Sequence, residues 1–269
     1  MEEKRYLLNV CKSPVDTRDW KASAIFPTID LPPSIDYRPM LQPIRDQGNQ
    51  GSCAAMAGAA MKECQEYMDS GLDEYLSPQF IYNLRDGEDE GMYMRDLMNI
   101  LRKSGVCTEK VFPYGSYGLP SQTALNEAKK YIIKSYAAVN SLEELKTALF
   151  LNGPCVIAVP VYNFTERMWY QRPGDEILGG HAIDVVSFDD NTRKCWVRNS
   201  WGKYWGQEGY CELSYDDFDL IRETWTTVDE KYIPPNPDPE PEPEKSWFKR
   251  FWWIIPIVIA ITVLLIILT

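Results

Sequence analysis

The stretch QGNQGSCAAMAGAAMKE, residues 47–63, places one cysteine where a glycine-containing loop becomes an alanine-rich segment. Alanine and methionine favour helix, so we expect a helix from Cys53 through Met68. A cysteine in a first helical turn faces unpaired backbone N–H groups and the positive end of the helix dipole, and both favour the thiolate. Cys53 is therefore a candidate nucleophile. The loop alone leaves the alternative open that Cys53 is a small apolar residue packing a helix start.

A nucleophilic thiol needs a proton acceptor, and the chain contains a single histidine, His181, in the stretch LGGHAIDVV. The alternative for a lone histidine on an apolar strand is a buried, neutral, hydrogen-bonded side chain. A third component follows in VRNSWGKYWGQEGY, residues 197–210. There the amide of Asn199 can accept an imidazole N–H, and the indole of Trp201 can keep water off that contact.

Taken together, these three segments resemble the papain family of cysteine peptidases. His181 lies 128 residues after Cys53 and Asn199 lies 146 residues after it, so the order Cys, His, Asn is that of the family. The resemblance implies that Cys53 is the nucleophile, that His181 is its partner in a thiolate–imidazolium pair, and that Asn199 orients His181 beneath Trp201. It also implies that Gln47 offers its side-chain amide to the oxyanion, beside the backbone N–H of Cys53.

Two further stretches extend the resemblance. LPPSIDYR, residues 31–38, is similar to the start of the mature enzyme in this family. EGMYMRDLMNILRKSGVCTEKVFPY, residues 90–114, is similar to the segment that forms one wall of the substrate cleft. The resemblance therefore covers roughly residues 31–228.

The resemblance also implies substrate-binding residues and shows two departures. Gly91 matches the glycine whose backbone pairs with the substrate strand, and Gly180 and Trp201 are the other residues expected to contact substrate. Gln50 stands where the family's loop usually carries a disulfide-bonded cysteine, and Ala54 stands where a tryptophan usually follows the nucleophile. We therefore expect a site built without that disulfide, which is consistent with a reducing compartment.

The residues before the mature-like start form a short lead-in, residues 1–30, in which the long inhibitory prosegment of lysosomal members does not fit. SPVDTRDW, residues 13–20, instead resembles the lead-in of prosegment-free members, which occur in microbes and large DNA viruses. Zymogen control of the usual kind is accordingly not expected.

Helical patterns cluster early in the chain and strand patterns cluster late, which favours an α+β protein with two lobes. The resemblance implies the papain-like two-lobe fold over residues 31–232, with a helical lobe that carries the cysteine helix and a β-rich lobe that carries the histidine and asparagine. Besides the helix at Cys53, the patterns predict helices over 92–103, 121–132 and 141–153, and strands over 155–162, 181–188, 194–200 and 209–214.

Composition excludes several classes of function. The 269 residues carry a net charge of −11, so a nucleic-acid backbone would be repelled. Seven scattered cysteines without a C-x-x-C pair, and a single histidine, offer no zinc-ligand spacing. We expect reduced thiols, no metal, no organic cofactor and no nucleic-acid partner.

The C-terminal residues differ from the rest of the chain. Residues 251–269 are uncharged and, as a helix, would span roughly 28 Å, which matches a bilayer core. Before them, residues 234–244 contain six prolines and four acidic residues, a composition typical of extended polyproline II. We predict a linker over 233–246 and a single transmembrane anchor over 247–269. Basic residues on its N-terminal side predict that the catalytic domain faces the cytosol. If the protein is viral, the membrane would be that of the virion or of the host.

The sequence thus predicts a tail-anchored, papain-like cysteine endopeptidase that acts as a monomer on protein or peptide substrates through a thioester at Cys53. Two alternatives stay open at this point. One is a tethered binding module on a peptidase fold, which would not need the full set of Gln47, Cys53, His181 and Asn199. The other is an isopeptidase or transferase, which would use the same chemistry on a different substrate or acceptor.

Overall fold

The computed structural model describes residues 6–86 and 91–228. The predicted linker over 233–246 and the predicted anchor over 247–269 lie outside the described residues. Within the described ranges, no helix is both long and apolar enough to cross a membrane.

The helices of the described residues are α1 (Ala22–Ile25), α2 (Cys53–Ser70), α3 (Pro78–Asn83), α4 (Met94–Lys103), α5 (Gln122–Ala128) and α6 (Leu142–Asn152). Helix α2 begins at the candidate nucleophile, and its first thirteen residues are buried. Its small side chains allow close packing, since a Cβ on Gly58 would overlap Leu97 of α4. Gly71, in the left-handed conformation at φ 73°, ends the helix.

The strands of the described residues are β1 (Val10–Cys11), β2 (Ser34–Asp36), β3 (Met92–Tyr93), β4 (Ser135–Val139), β5 (Cys155–Val161), β6 (Gly179–Val185), β7 (Ser187–Asp189), β8 (Lys194–Arg198), β9 (Tyr210–Ser214) and β10 (Glu223–Val228). Eight of them form an antiparallel sheet in the order β2-β7-β8-β6-β5-β10-β4, with β9 paired to β8. Strands β1 and β3 form a separate parallel pair. That pair joins the amino-terminal residues to the entry of α4.

Strand β5 separates the two hydrophobic cores. Every residue of β5 is buried, which explains its uninterrupted apolar sequence. Ile157 and Val159 are examples of residues that belong to one core with the sheet lobe, whereas Val156 and Ala158 pack into the other core with α2. Because β6 pairs with β5 along its whole length, His181 on β6 lies where the two lobes meet.

Several predicted element boundaries differ from the observed ones. The helix predicted over 92–103 begins only at Met94, because Met92 and Tyr93 pair as a strand with the amino-terminal residues. The strand predicted over 181–188 is divided into β6 and β7 between Val185 and Ser187. Strands β2, β4 and β10 and helix α3 were not predicted.

The predicted lead-in packs against the body of the domain. Ala22 is fully buried in the core of the sheet lobe. The carbonyl of Trp20 accepts a hydrogen bond from the backbone N–H of Ala138, and Asp19 forms an ion pair with Arg95 of α4. This part of the lead-in is therefore an integral layer of the fold.

Candidate active site

The candidate nucleophile and the histidine are neighbours at the junction of the lobes. Cys53 is the first residue of α2, and the N-terminal end of α2 faces β6. The backbone N–H groups of Ala182, which follows His181, and of Ala54 donate toward the Cys53 sulfur. Both Cys53 and His181 have no exposed surface. The two elements thus bring the thiol beside the backbone that follows His181, in a site closed to solvent.

The hydrogen bonds of Asn199 determine the state of the imidazole. Asn199 Oδ1 accepts the backbone N–H of Ser200 at 2.7 Å, which identifies that atom as the amide oxygen, since an N–H can only donate. The same oxygen lies 2.7 Å from His181 Nε2. Nε2 must therefore carry the proton, and a neutral His181 keeps its free lone pair on Nδ1. His181 Nδ1 is buried and has no hydrogen-bond partner in the described part of the chain.

Trp201 covers this pair. Its ring stacks on the imidazole of His181 with centroids 4.5 Å apart, and the indole is 3% exposed. Trp205 packs edge-on against the same indole at 5.4 Å. An apolar wall over the Asn199–His181 hydrogen bond keeps competing water away and strengthens the bond.

Gln47 lies in the same site with its amide held in one orientation. Its Nε2 donates to the carbonyl of Gln50 at 3.0 Å, and its Oε1 accepts the hydroxyl of Ser200 at 2.8 Å. The backbone N–H of Gln47 also donates to the carbonyl of Ser200. Because an amide nitrogen has two hydrogens, one remains for an oxyanion. Ser200 connects Gln47 to Asn199.

Burial keeps both reacting groups neutral in this structure. It raises the pKa of the Cys53 thiol to about 11, against the opposing effect of the backbone N–H donors. It lowers the pKa of His181 to about 4, although the hydrogen bond to Asn199 acts the other way. A thiol and a neutral imidazole are therefore the favoured forms while the site is closed.

A short amino-terminal segment closes the site. Residues 6–13, which we call the strap, alternate in burial: Leu8 and Val10 are buried, Asn9 is partly exposed and Cys11 is exposed. Val10 packs in the core that contains Cys53, Met92 and Ala182. The strap therefore adds an aliphatic side chain to the core in which the candidate nucleophile lies.

The strap is held mainly through backbone groups. Its Leu8 carbonyl accepts the N–H of Gly180 at 3.1 Å, and Val10 pairs in parallel register with Met92. A Cβ on Gly91 would overlap the carbonyl of Asn9, and a Cβ on Gly180 would overlap the carbonyl of Val10. Both glycines predicted to bind substrate thus contact the chain's own strap, and their substrate role stays a prediction.

An aromatic contact fixes the start of the strap. The ring of Tyr6 stacks on Trp201 with centroids 4.8 Å apart and planes 10° apart. Its hydroxyl donates to the Trp201 carbonyl at 2.9 Å. Trp201 is therefore enclosed between His181 on one side and the strap on the other, rather than left open to a substrate.

Sequence reasoning missed the strap and the bridging role of Ser200. A signal for the strap was present in YLLNV, residues 6–10, a short apolar run of the kind that forms buried strands. No comparable signal exists for Ser200, because its role depends on the distant Gln47.

Within the described ranges, no group of three or more His, Cys, Asp or Glu side chains is placed to hold a metal ion. All seven cysteines are free thiols.

Comparison with known proteins agrees with this arrangement. Residues 31–224 match the family model of the papain family cysteine protease. The chain is 30% identical over 217 residues to cathepsin B-like CP3 of Giardia intestinalis, which covers 72% of this chain and 70% of the relative. It is 28% identical over 226 residues to an uncharacterized peptidase C1-like protein of Acanthamoeba polyphaga mimivirus, covering 70% of this chain and 72% of the relative.

Among solved structures, xylellain, a cysteine protease from Xylella fastidiosa, superimposes with a TM-score of 0.71 at 30% identity. The match covers 82% of this chain and 96% of xylellain. Bromelain from Ananas comosus shares the fold, with a TM-score of 0.61 at 23% identity over 74% of this chain. The predicted two-lobe architecture, with helical and β-rich lobes, is thereby confirmed. The chain belongs to the papain family of cysteine peptidases and is a cysteine-type peptidase.

Proposed function

We propose that Cys53 is the nucleophile of this peptidase and His181 its general base and acid. The observation that supports these roles is the pair of hydrogen bonds to Asn199 Oδ1, which places the imidazole proton on Nε2 and leaves Nδ1 as the base. The backbone N–H of Ala182, the residue that follows His181, donates toward the Cys53 sulfur, which also supports the pairing of Cys53 with His181.

In the proposed reaction, the Cys53 proton passes to His181 Nδ1 and the sulfur attacks the carbonyl carbon of a peptide bond. The second amide hydrogen of Gln47 and the backbone N–H of Cys53 stabilise the oxyanion. Protonated His181 then gives its proton to the leaving amine as the C–N bond breaks. Water, deprotonated by His181, cleaves the thioester, releases the acid and restores the thiol.

The strap must leave the cleft before a substrate can enter. Cys53 has no exposed surface, and Val10 and the backbone of Leu8 occupy the space between Gly180 and Met92. A peptide cannot bind at these backbone groups while the strap holds them. The proposed peptidase is therefore restrained in the form described here. Such a restraint was not expected from the lead-in, which resembles that of prosegment-free members.

A selective labelling experiment tests the catalytic roles. The full chain carrying Val10→Asp, which displaces the strap, is treated at mildly acidic pH with a trace of a thiol-reactive electrophile, and the labelled cysteine is mapped. We expect selective labelling of Cys53 that is lost in Val10→Asp/His181→Ala. Equal labelling of Cys53 and the exposed Cys11, unchanged by His181→Ala, would contradict the assignment.

We also propose that a membrane tether confines this peptidase to proteins near a bilayer. The uncharged segment 251–269 and the proline-rich segment before it support this proposal, which rests on the sequence. Deletion of 247–269 should move the protein from the membrane fraction to the soluble fraction. Persistence of the shortened chain in the membrane fraction would refute the tether.

A further inference from the structure

A small cavity, lined by both apolar and polar residues, lies behind the candidate site. Its volume is about 10 Å³, and it lies between the small-residue face of α2, at Ala57 and Ala60, and the inner face of β6. Asp184, Arg198 and Asn199 also line it. A cavity of this size holds about one water molecule when two or more polar groups face it.

Two buried polar atoms at this cavity have no hydrogen-bond partner among the described residues. One is Nδ2 of Asn199, a donor, and the other is Oδ1 of Asp184, an acceptor. Asp184 is 2% exposed and Asn199 is 3% exposed. Leaving buried groups of this kind unpaired is unfavourable, so a donor and an acceptor on two residues that line one water-sized cavity indicate a bridge.

Within the described ranges, no hydrogen bond or ion pair joins Asp184 to the cations around it, although the charges of Arg198 and Arg45 favour its ionised form. Arg198 lies opposite Asp184 across β6 and β8, but its guanidinium donates to the carbonyls of Gln42 and Pro43. Arg45, Glu63 and Cys64 are the other titratable groups facing this region, and Arg45 pairs with Glu63. Burial raises the pKa of the Asp184 carboxyl, and in either protonation state one oxygen can still accept a hydrogen bond.

We propose that Asp184 is a positioning residue for the catalytic histidine and acts through Asn199. One buried water donates a hydrogen to Asp184 Oδ1 and accepts one from Asn199 Nδ2. That contact holds the far end of the amide, so that Oδ1 stays directed at His181 Nε2. The inference rests on the proposed roles of His181 and Asn199.

The single histidine of the chain permits a direct test that does not need activity. In the full chain, labelled with [15N]histidine and kept in detergent micelles, NMR reports one imidazole. Asp184→Val removes the acceptor and should speed exchange of the His181 Nε2–H with water by about tenfold, since the bond to Asn199 opens more often. Asp184→Asn retains an acceptor oxygen in the same shape and should stay within about twofold of the parent.

Two results would overturn the proposal. One is an Asp184→Val exchange rate equal to that of the parent. The other is equally fast exchange in Asp184→Val and Asp184→Asn, which would assign Asp184 the role of a charge partner for Arg198. If Asp184→Val does not fold, Asp184→Asn is measured alone. A tenfold faster exchange of the His181 Nε2–H in that variant contradicts the bridge.

Kinetics separate this inference from the proposed function. Asp184→Val should lower kcat about tenfold with KM unchanged, because a misplaced imidazole affects the chemical step. In an Asn199→Ala background the same substitution should change kcat less than about twofold, since the residue it acts through is gone. If Asp184→Val lowered kcat by the same factor with and without Asn199, the inference would be refuted. A chain that stays inactive even when it carries Val10→Asp would refute the proposed function and leave the exchange result to decide the role of Asp184.

Discussion

The strap and the Arg45–Glu63 ion pair both bury polar groups near α2, but they do so by different means. The strap lies on the outer side of the candidate site and is held by backbone hydrogen bonds, Val10 and one aromatic stack. The ion pair lies inside, with Glu63 also accepting the backbone N–H of Leu76. Removing the strap exposes neutral groups, whereas breaking the ion pair takes from Arg45 its buried partner and leaves it paired with the partly exposed Glu109. The strap is thus suited to reversible opening, whereas the ion pair is suited to stabilising the folded domain.

The largest expected effect concerns the inner contact. Glu63→Ala leaves Arg45 with the partly exposed Glu109 in place of its buried partner and the N–H of Leu76 without an acceptor, so the free energy of unfolding should fall by about 2–4 kcal/mol. Urea denaturation followed by fluorescence measures it. The matched control is Glu74→Ala, which removes an exposed pair with Lys110 and should cost less than about 1 kcal/mol. Equal losses of unfolding free energy in the two variants would mean that the buried pair stabilises the protein no more than the exposed pair.

The next effect concerns the strap. Val10→Asp places a charge in an apolar site, and expelling the strap avoids that cost, so peptide hydrolysis should rise at least about tenfold with little change in unfolding free energy. Cys11→Asp is the matched control, because Cys11 is the next strap residue and is exposed. Activity that stays at the parent level in Val10→Asp would mean that the strap does not restrain the enzyme.

The ionisation of the site should change with the strap. In the parent, burial holds the pKa of Cys53 at about 11 and that of His181 at about 4, so both groups are neutral between these values. Opening the site in Val10→Asp lowers the former and raises the latter, which favours thiolate and imidazolium. Alkylation of Cys53 measured against pH should therefore be rapid near pH 6 in Val10→Asp and slow there in the parent. Coincident profiles would contradict this expectation.

The smallest effect is expected at the start of the strap. Tyr6→Ala removes the stack on Trp201 and one hydrogen bond, together worth about 1–2 kcal/mol, and should raise hydrolysis severalfold. Tyr6→Phe keeps the ring and loses only the hydroxyl, so its rise should be smaller. If Tyr6→Phe matched Tyr6→Ala, the ring contact would contribute nothing.

The residues of the candidate site could be picked out from the sequence because each carried its own signal. Cys53 lies at a helix start, His181 is the single histidine, and Asn199 lies in a stretch rich in glycine and tryptophan. Their spacing then indicated the family, which the comparisons confirm. The helix at Cys53 and its glycine end were also local in origin.

The closure of the site was not predictable in the same way. Strap pairing joins Val10 to Met92, and Gly180 to Leu8, through backbone atoms that have no residue preference of their own. The role proposed for Asp184 was equally hard to predict, because a charged residue inside an apolar strand gives no indication of the cavity it faces. Contacts between distant segments, rather than local patterns, decide these features.

The attachment of the strap sets its effective concentration at the cleft. Its downstream end is fixed to the body a few residues beyond Ser13, through Asp19 and Trp20. A short tether of this kind gives a local concentration on the order of millimolar that does not change when the protein is diluted. A competing peptide with the same affinity for the cleft has to reach that concentration to displace the strap. In the proposed peptidase, a substrate of similar affinity would therefore have to be concentrated near the enzyme to displace the strap.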